Sequence, residues 1–129
     1  MSLTLRKLSD LTDRERLFVD VTERAFQRQV NDLCALLGWL TYHTHRSDRS
    51  PAGFPDSVMV RGGRVIFAEL KTERGRLAYA QEKWRDALRG AGAEWYLWRP
   101  SMMQEITETL QSTVRNDFSD SKGVADGVD

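Results

Sequence analysis

The stretch from Phe54 to Lys71, FPDSVMVRGGRVIFAELK, decides how the rest of this chain is read. Two β-rich runs flank Gly62-Gly63, and glycine accepts the positive φ that a type I′ hairpin turn demands. With those two glycines as the loop, Arg61 faces Arg64, and the register carries outward until Asp56 stands opposite Glu69. Directly opposed residues in a hairpin hold their Cβ atoms about 4.5–5.5 Å apart. Two carboxylates at that spacing repel unless a cation sits between them. Lys71 lies two residues beyond Glu69 and therefore shares its face. Hard divalent ions such as Mg²⁺ use one or two carboxylates plus water and phosphate oxygens. A metal held there polarises a phosphodiester and acidifies a bound water, with Lys71 placed to orient that water or to stabilise charge on the phosphorus oxygens. A surface ion pair between Lys71 and the two acids is the other use of the same three residues.

Working outward, the segment before the hairpin reads as a helix from Thr22, with Val19, Glu23, Gln27, Val30, Cys34 and Leu37 on one stripe and Gly38 as its stop. Trp39 to His45 alternates as a strand, which puts His43 and His45 on one face, where they contact phosphate, act as a base or serve the structure. Residues 46–53 are loop chemistry. After the hairpin, Thr72 to Arg76 form a charged loop. Leu77, Gln81, Trp84 and Leu88 then mark one face of a second helix ended by Gly90 or Gly92. Glu94 to Trp98 is a short aromatic strand broken by Pro100. Ser101 is placed to cap a last helix, with Gln104 at the reciprocal position and Met103, Ile106 and Leu110 inward. The expected order is helix, three strands, helix, strand, helix. The first three strands form an antiparallel meander, and the fourth runs parallel to the third after a right-handed crossover.

With 129 residues, 40% hydrophobic and 29% charged, the chain suits one soluble domain. The reading divides it into an extension over 1–18, a folded domain over 19–114 and a polar, disordered tail over 115–129. No run approaches the ~20 apolar residues of a membrane span, and Met1 to Leu8 lacks the apolar core of a signal peptide. The single cysteine, Cys34, has no internal disulfide partner, which fits a reducing cytoplasm, and the stripe places it in the core. Cys and His together are too few for a zinc framework. Lysine and arginine balance aspartate and glutamate at 19 each over the whole chain, but from Leu40 to Arg99 eleven basic residues face seven acids, a net of +4. That distribution fits either a polyanion-binding centre or a mixed solvated surface.

Pro55-Asp56, the Gly-Gly hairpin and Glu69-Leu70-Lys71 together resemble the signature of the PD-(D/E)XK nuclease superfamily, and the element order resembles its αβββαβ core with an added C-terminal helix. More narrowly, the chain is similar to the VRR-NUC (virus-type replication-repair nuclease) group, on Glu23 and Gln27, Gly53-Phe54-Pro55-Asp56, Glu69-Leu70-Lys71-Thr72, and Gln81 to Trp84. The similarity spans roughly residues 22–110, and the stand-alone form resembles phage-encoded members, which act in the host bacterial cytoplasm. Tyr79-Ala80 departs from the small hydroxyl residue that often precedes the glutamine. The resemblance implies a metal-dependent endonuclease using Mg²⁺ or Mn²⁺, with Asp56, Glu69, the Leu70 backbone carbonyl and Glu23 around the metal. It also implies that Gln81 sits beside Lys71 and assists the nucleophile or phosphate. Without the resemblance, Glu23 is a favourable acid at a helix N-terminus and Gln81 a polar residue on the rim of a buried stripe.

Stand-alone members of that group act on branched DNA as homodimers, so a four-way (Holliday) junction is the expected substrate. Trp95, Tyr96 and Trp98 either stack on bases or bury one strand face, with a remainder, more than a small core needs, left for a partner surface. With Leu5, Leu8, Phe18, Ile106 and Leu110, they point to a dimer burying at least about 1,000 Å². Arg46, Arg49, Arg74 and Arg76 are the expected phosphate contacts. Three readings stand beside this one: a restriction-type or end-processing nuclease of the same superfamily, a non-catalytic DNA-binding or scaffold protein, and a generic small α/β interaction module.

Overall fold

The computed structural model describes residues 12–13, 21–44 and 50–116. The element order is α1 (Glu23–Leu36), β1 (Leu40–His43), β2 (Ser57–Arg61), β3 (Arg64–Leu70), α2 (Tyr79–Gly90), β4 (Glu94–Trp98), a 3₁₀ turn (Pro100–Met102) and α3 (Met103–Gln111). Among the described residues this is a mixed α/β fold with one four-stranded sheet in the order β1-β2-β3-β4. The first three strands are antiparallel and β4 lies parallel to β3, as expected for a meander followed by a helical crossover. Among the described residues, no helix is long and apolar enough to cross a membrane. The extension over 1–11 and 14–20, His45 to Arg49, and the tail from residue 117 lie outside the described residues.

The hairpin has the register read from its turn. Arg61 pairs with Arg64 and the ladder runs to Ser57 opposite Ala68. Gly62 and Gly63 take φ of 54° and 84°, a region open to glycine without a steric penalty. Period-two alternation then sends Met59, Ile66, Ala68 and Leu70 to one side of the sheet. There they join Phe26, Val30 and Cys34 of α1, Ile106 and Leu110 of α3, and Trp98 in a single core. Thr22 caps α1, its hydroxyl accepting from the Ala25 N–H at 3.0 Å. The buried stripe of α1 runs through Phe26, which the expected stripe omitted, while Gln27 sits beside it half-buried and Glu23 is exposed.

The opposite sheet face is covered more thinly. Phe54 meets Trp84 of α2 edge-on at 5.0 Å and Phe67 of β3 at 6.1 Å. No residue of α2 is fully buried, and the helix starts at Tyr79, so Leu77 belongs to the preceding loop and not to the expected helical face. The cause is local: Ala78 takes an extended N-cap conformation that ends the helix there.

Three further expectations are corrected. The aromatics of β4 are not surplus surface, because Trp95 and Trp98 are each 1% exposed, on opposite faces of the strand, and Tyr96 stacks on Trp98 at 5.2 Å. Ile106 and Leu110 are likewise consumed by the core. Ser101 does not cap α3, whose N-cap, Met102, makes no side-chain bond; the Ser101 hydroxyl donates to Glu73 at 2.6 Å instead.

At the hairpin end, Arg64 forms a buried ion pair with Glu94 and also donates to the carbonyls of Thr109 and Ser112. Arg61 donates to the carbonyls of Leu37 and Ser112, and both guanidinium groups lie over Trp39. Two of the eleven basic residues that made the central stretch positive therefore act as internal struts. The first two tail residues are docked as well: Arg115 donates to the Gly92 carbonyl, and Asn116 donates to the Tyr96 hydroxyl.

Candidate metal centre

The candidate centre forms at the end of the sheet opposite the hairpin turn. The chain enters β2 through Gly53-Phe54-Pro55, and Gly53 is wedged against the start of α2. With φ of 94°, any Cβ placed on it would sit 2.4 Å from the Ala80 carbonyl oxygen. That close approach fixes the path of the Phe54-Pro55-Asp56 segment. Asp56 follows the last ladder pair, and its own carbonyl accepts from the Thr44 N–H at 3.0 Å. Its side chain reaches across to β3, where Oδ2 accepts the Leu70 N–H at 2.9 Å.

Glu69 is fully buried on the α2 face. One of its oxygens, Oε1, accepts from the Gln81 amide at 3.3 Å, and Gln81 is itself oriented by accepting the Ala78 N–H at 2.8 Å. Among the described residues, the other oxygen, Oε2, accepts no well-formed hydrogen bond. Burial first, and then the neighbouring Asp56 carboxylate, push Glu69 up from 4.5 to about 9, while Lys71 and the Asp56 backbone N–H pull in the opposite direction. A buried carboxylate with an orphaned oxygen and a second carboxylate beside it is an expensive arrangement for the apo chain. It is relieved by a proton or by a cation. A donor set of two carboxylates fits a hard divalent ion, which draws its remaining oxygens from water and phosphate.

Lys71 leaves β3 on the Glu69 side, anchored by its N–H donating to the Trp98 carbonyl at 3.0 Å. Its direction is set by the turn that follows, whose stability comes from far along the chain. Arg99 donates to the carbonyls of Thr72, Glu73 and Gly75 at 2.7, 3.2 and 2.7 Å. Glu73 is buried and accepts from the Ser101 N–H and hydroxyl at 3.1 and 2.6 Å. A Cβ at Gly75 would crowd the Thr72 hydroxyl at 3.1 Å, while meeting the aliphatic stem of Lys71 only at an ordinary contact distance of 3.5 Å. Neither Glu73 nor Arg99 stood out in the sequence, because both are ordinary charged residues until the turn brings them together.

Asp56 separates two clefts. One, of about 660 Å³, is lined by Glu23, Arg24, Gln27, Arg28 and His43 together with Asp56. Gln27 ties this side together by donating to Asn31 and to Ser57, the residue after Asp56, both at 3.0 Å. Glu23 thus shares a cleft with Asp56, but among the described residues no three of His, Cys, Asp and Glu gather closely enough to hold a metal ion. The second cleft, of about 450 Å³, lies on the α2 side, where Tyr42, Phe54 and Trp84 surround Asp56 and Gln81. Sequence reading had not identified it, although Gln81 and Trp84, one helical turn apart, were the available signal. Arg74 and Arg76 are exposed beside the Lys71 turn, whereas Arg46, Arg49 and His45 lie outside the described residues.

Compared with known proteins, the chain matches no family model, no curated protein and no solved structure.

Proposed function

We propose that this chain is a divalent-metal-dependent DNA endonuclease of the PD-(D/E)XK kind, similar to the VRR-NUC group. The observation that carries the reading is the buried Glu69 oxygen that accepts no well-formed hydrogen bond among the described residues, beside Asp56 and on the Lys71 side of β3. Asp56 and Glu69 would hold Mg²⁺ or Mn²⁺, with the carbonyl of Leu70, the residue after Glu69, as a further oxygen. When bound, the ion supplies Lewis acidity toward a phosphodiester and lowers the pKa of water. The reaction is hydrolysis: a water oxygen adds to phosphorus, the bond to one sugar oxygen breaks, and that oxygen leaves with a proton.

The chain's own side chains position the participants. Gln81 fixes the Glu69 carboxylate, and the Leu70 N–H fixes that of Asp56. Lys71 contributes an ammonium able to hydrogen-bond the attacking water or a non-bridging oxygen, held in place by the Arg99 and Glu73 struts. Arg74 and Arg76 extend positive charge along the same edge.

Branched DNA, with a four-way junction foremost, is the proposed substrate, and a homodimer the proposed assembly. Support for pairing comes from Leu40, Val60 and Val65, neighbours across β1, β2 and β3 that all remain exposed. Two centres related by a two-fold would nick symmetric strands. The deciding experiment incubates the full chain with linear, flap and four-way DNA, with Mg²⁺, Mn²⁺ or EDTA. Metal-dependent cleavage that vanishes in Lys71→Ala is expected. Binding without cleavage under every metal would establish the non-catalytic alternative.

A further inference from the structure

The cleft on the α2 side of Asp56 has features that phosphodiester hydrolysis alone does not require. Its volume of about 450 Å³ falls within the ~300–1,000 Å³ typical of small-ligand pockets. Three of its walls are aromatic. Phe54 is locked edge-on against Trp84 and Phe67, at interplanar angles of 87° and 90°. Tyr42 projects from β1 on the same sheet face as its partner Val58 and is 63% exposed. The rim supplies hydrogen-bonding groups from Thr44, Ser50 and Gln81, and Asp56 is the single charged residue in the lining. The cleft on the other side of Asp56 differs sharply, since charges of both signs line it.

We infer that the aromatic cleft receives one unpaired nucleobase, from the nucleotide adjoining the phosphate that is cut. This deepens, and rests on, the nuclease reading. A planar, uncharged ring with polar edges matches an aromatic cavity with hydroxyl and amide groups at its rim. Stacking on aromatic side chains tolerates any base because every base offers a π-face. The place is dictated by Asp56, which belongs both to the cleft and to the metal pair, so a nucleotide with its phosphate at the carboxylates has its base within reach of Tyr42. A base in a continuous duplex must first be unstacked and unpaired, whereas one at a branch point is already free. The pocket would therefore act as a specificity element favouring branched or frayed strands.

The test uses the full chain and fluorescein-labelled flap and four-way DNA, each carrying a single abasic sugar at successive positions around the branch, with affinity read by anisotropy in Ca²⁺. One position is expected to weaken binding on the order of tenfold. Tyr42→Ala should lose the same factor on intact DNA and show no further loss at that abasic position, while Tyr42→Phe retains full affinity. Tyr42 is largely exposed, so its replacement does not disturb the core. Losses from Tyr42→Ala and the abasic sugar that multiply independently, or no sensitive position at all, would overturn the inference. Cleavage of the same DNA in Mg²⁺ or Mn²⁺ is scored separately. Coupling between Tyr42 and one base without cleavage sinks the catalytic reading and supports the pocket; cleavage without coupling does the reverse.

Discussion

The Asp56 carboxylate and the Leu70 backbone N–H are joined at 2.9 Å, one step beyond the last ladder pair of the hairpin. This bond turns the end of a sheet into a fixed acidic centre, because it holds one carboxylate against the strand that carries the other. It also separates the structural from the chemical role of Asp56.

Asp56→Asn keeps an oxygen acceptor for Leu70 but loses the charge. Its melting temperature should stay close to that of the parent, while cleavage falls by about 10²-fold or more. Asp56→Ala loses the bond as well and should be less stable by roughly 1–3 kcal/mol, the range for leaving a buried donor unpaired. Thermal melts paired with single-turnover cleavage distinguish the two. An active Asp56→Asn would remove Asp56 from the chemistry.

Glu69 makes the metal-free protein sensitive to pH in a defined direction. Its folded-state pKa is raised from 4.5 to about 9, so the native state holds this proton more tightly than the unfolded chain. The resulting stability is fully present below 4.5 and is lost as pH rises through 9. In EDTA, melting temperature should fall across that window, and Glu69→Gln should flatten the slope and raise stability at its upper end. A divalent ion competes with the same proton, so metal affinity should climb with pH over the same range. A metal-free melting curve with the same slope in the parent and Glu69→Gln would contradict this account.

Gly53 sets the approach of the Asp56 segment to α2. Gly53→Ala places a Cβ against the Ala80 backbone at 2.4 Å and strains a positive φ, a cost of about 1–3 kcal/mol. Activity should fall more than stability, because relief of the clash moves Phe54 and Asp56 together. The comparison to make is kcat against denaturant midpoint. A variant that is destabilised yet fully active when folded would show that the wedge does not position the centre.

The exposed strip of Leu40, Val60 and Val65 should be the hydrophobic part of a two-fold contact burying at least about 1,000 Å². Sedimentation at micromolar concentration is expected to give a dimer for the parent and a monomer for Val65→Lys. Binding of the parent to a four-way junction should weaken steeply with salt, as released counterions accompany each phosphate contact. A parent that sediments as a monomer and cuts plain duplex as well as junctions would defeat the dimeric reading while leaving the nuclease reading intact.

Much of this was legible because it is local. The Gly62-Gly63 turn and the two-residue period of the flanking strands determine the hairpin register, and with it which side of the sheet Met59, Ile66 and Leu70 occupy. The same arithmetic brings Asp56, Glu69 and Lys71 to one end. Local pattern was a poorer guide to the aromatics of β4. Their number suggested one buried strand face with a remainder for a partner, yet packing partners on both sides of the sheet bury Trp95 and Trp98.

By itself, then, the sequence determined the order of elements, the hairpin pairing and the convergence of two carboxylates with a lysine, since turn chemistry and strand period act over a few residues. Tertiary structure alone decided that Glu69 is sealed from solvent with one oxygen unpaired, that Arg99 and Glu73 brace the Lys71 turn, and that Tyr42, Phe54 and Trp84 enclose a cleft beside Asp56. The physical reason is separation along the chain. Arg99 meets the Thr72 carbonyl across 27 residues and Glu73 meets Ser101 across 28. The element pattern places β4 beside β3, but which side chains meet across that distance depends on how the flanking turns pack, which no spacing of residue types encodes.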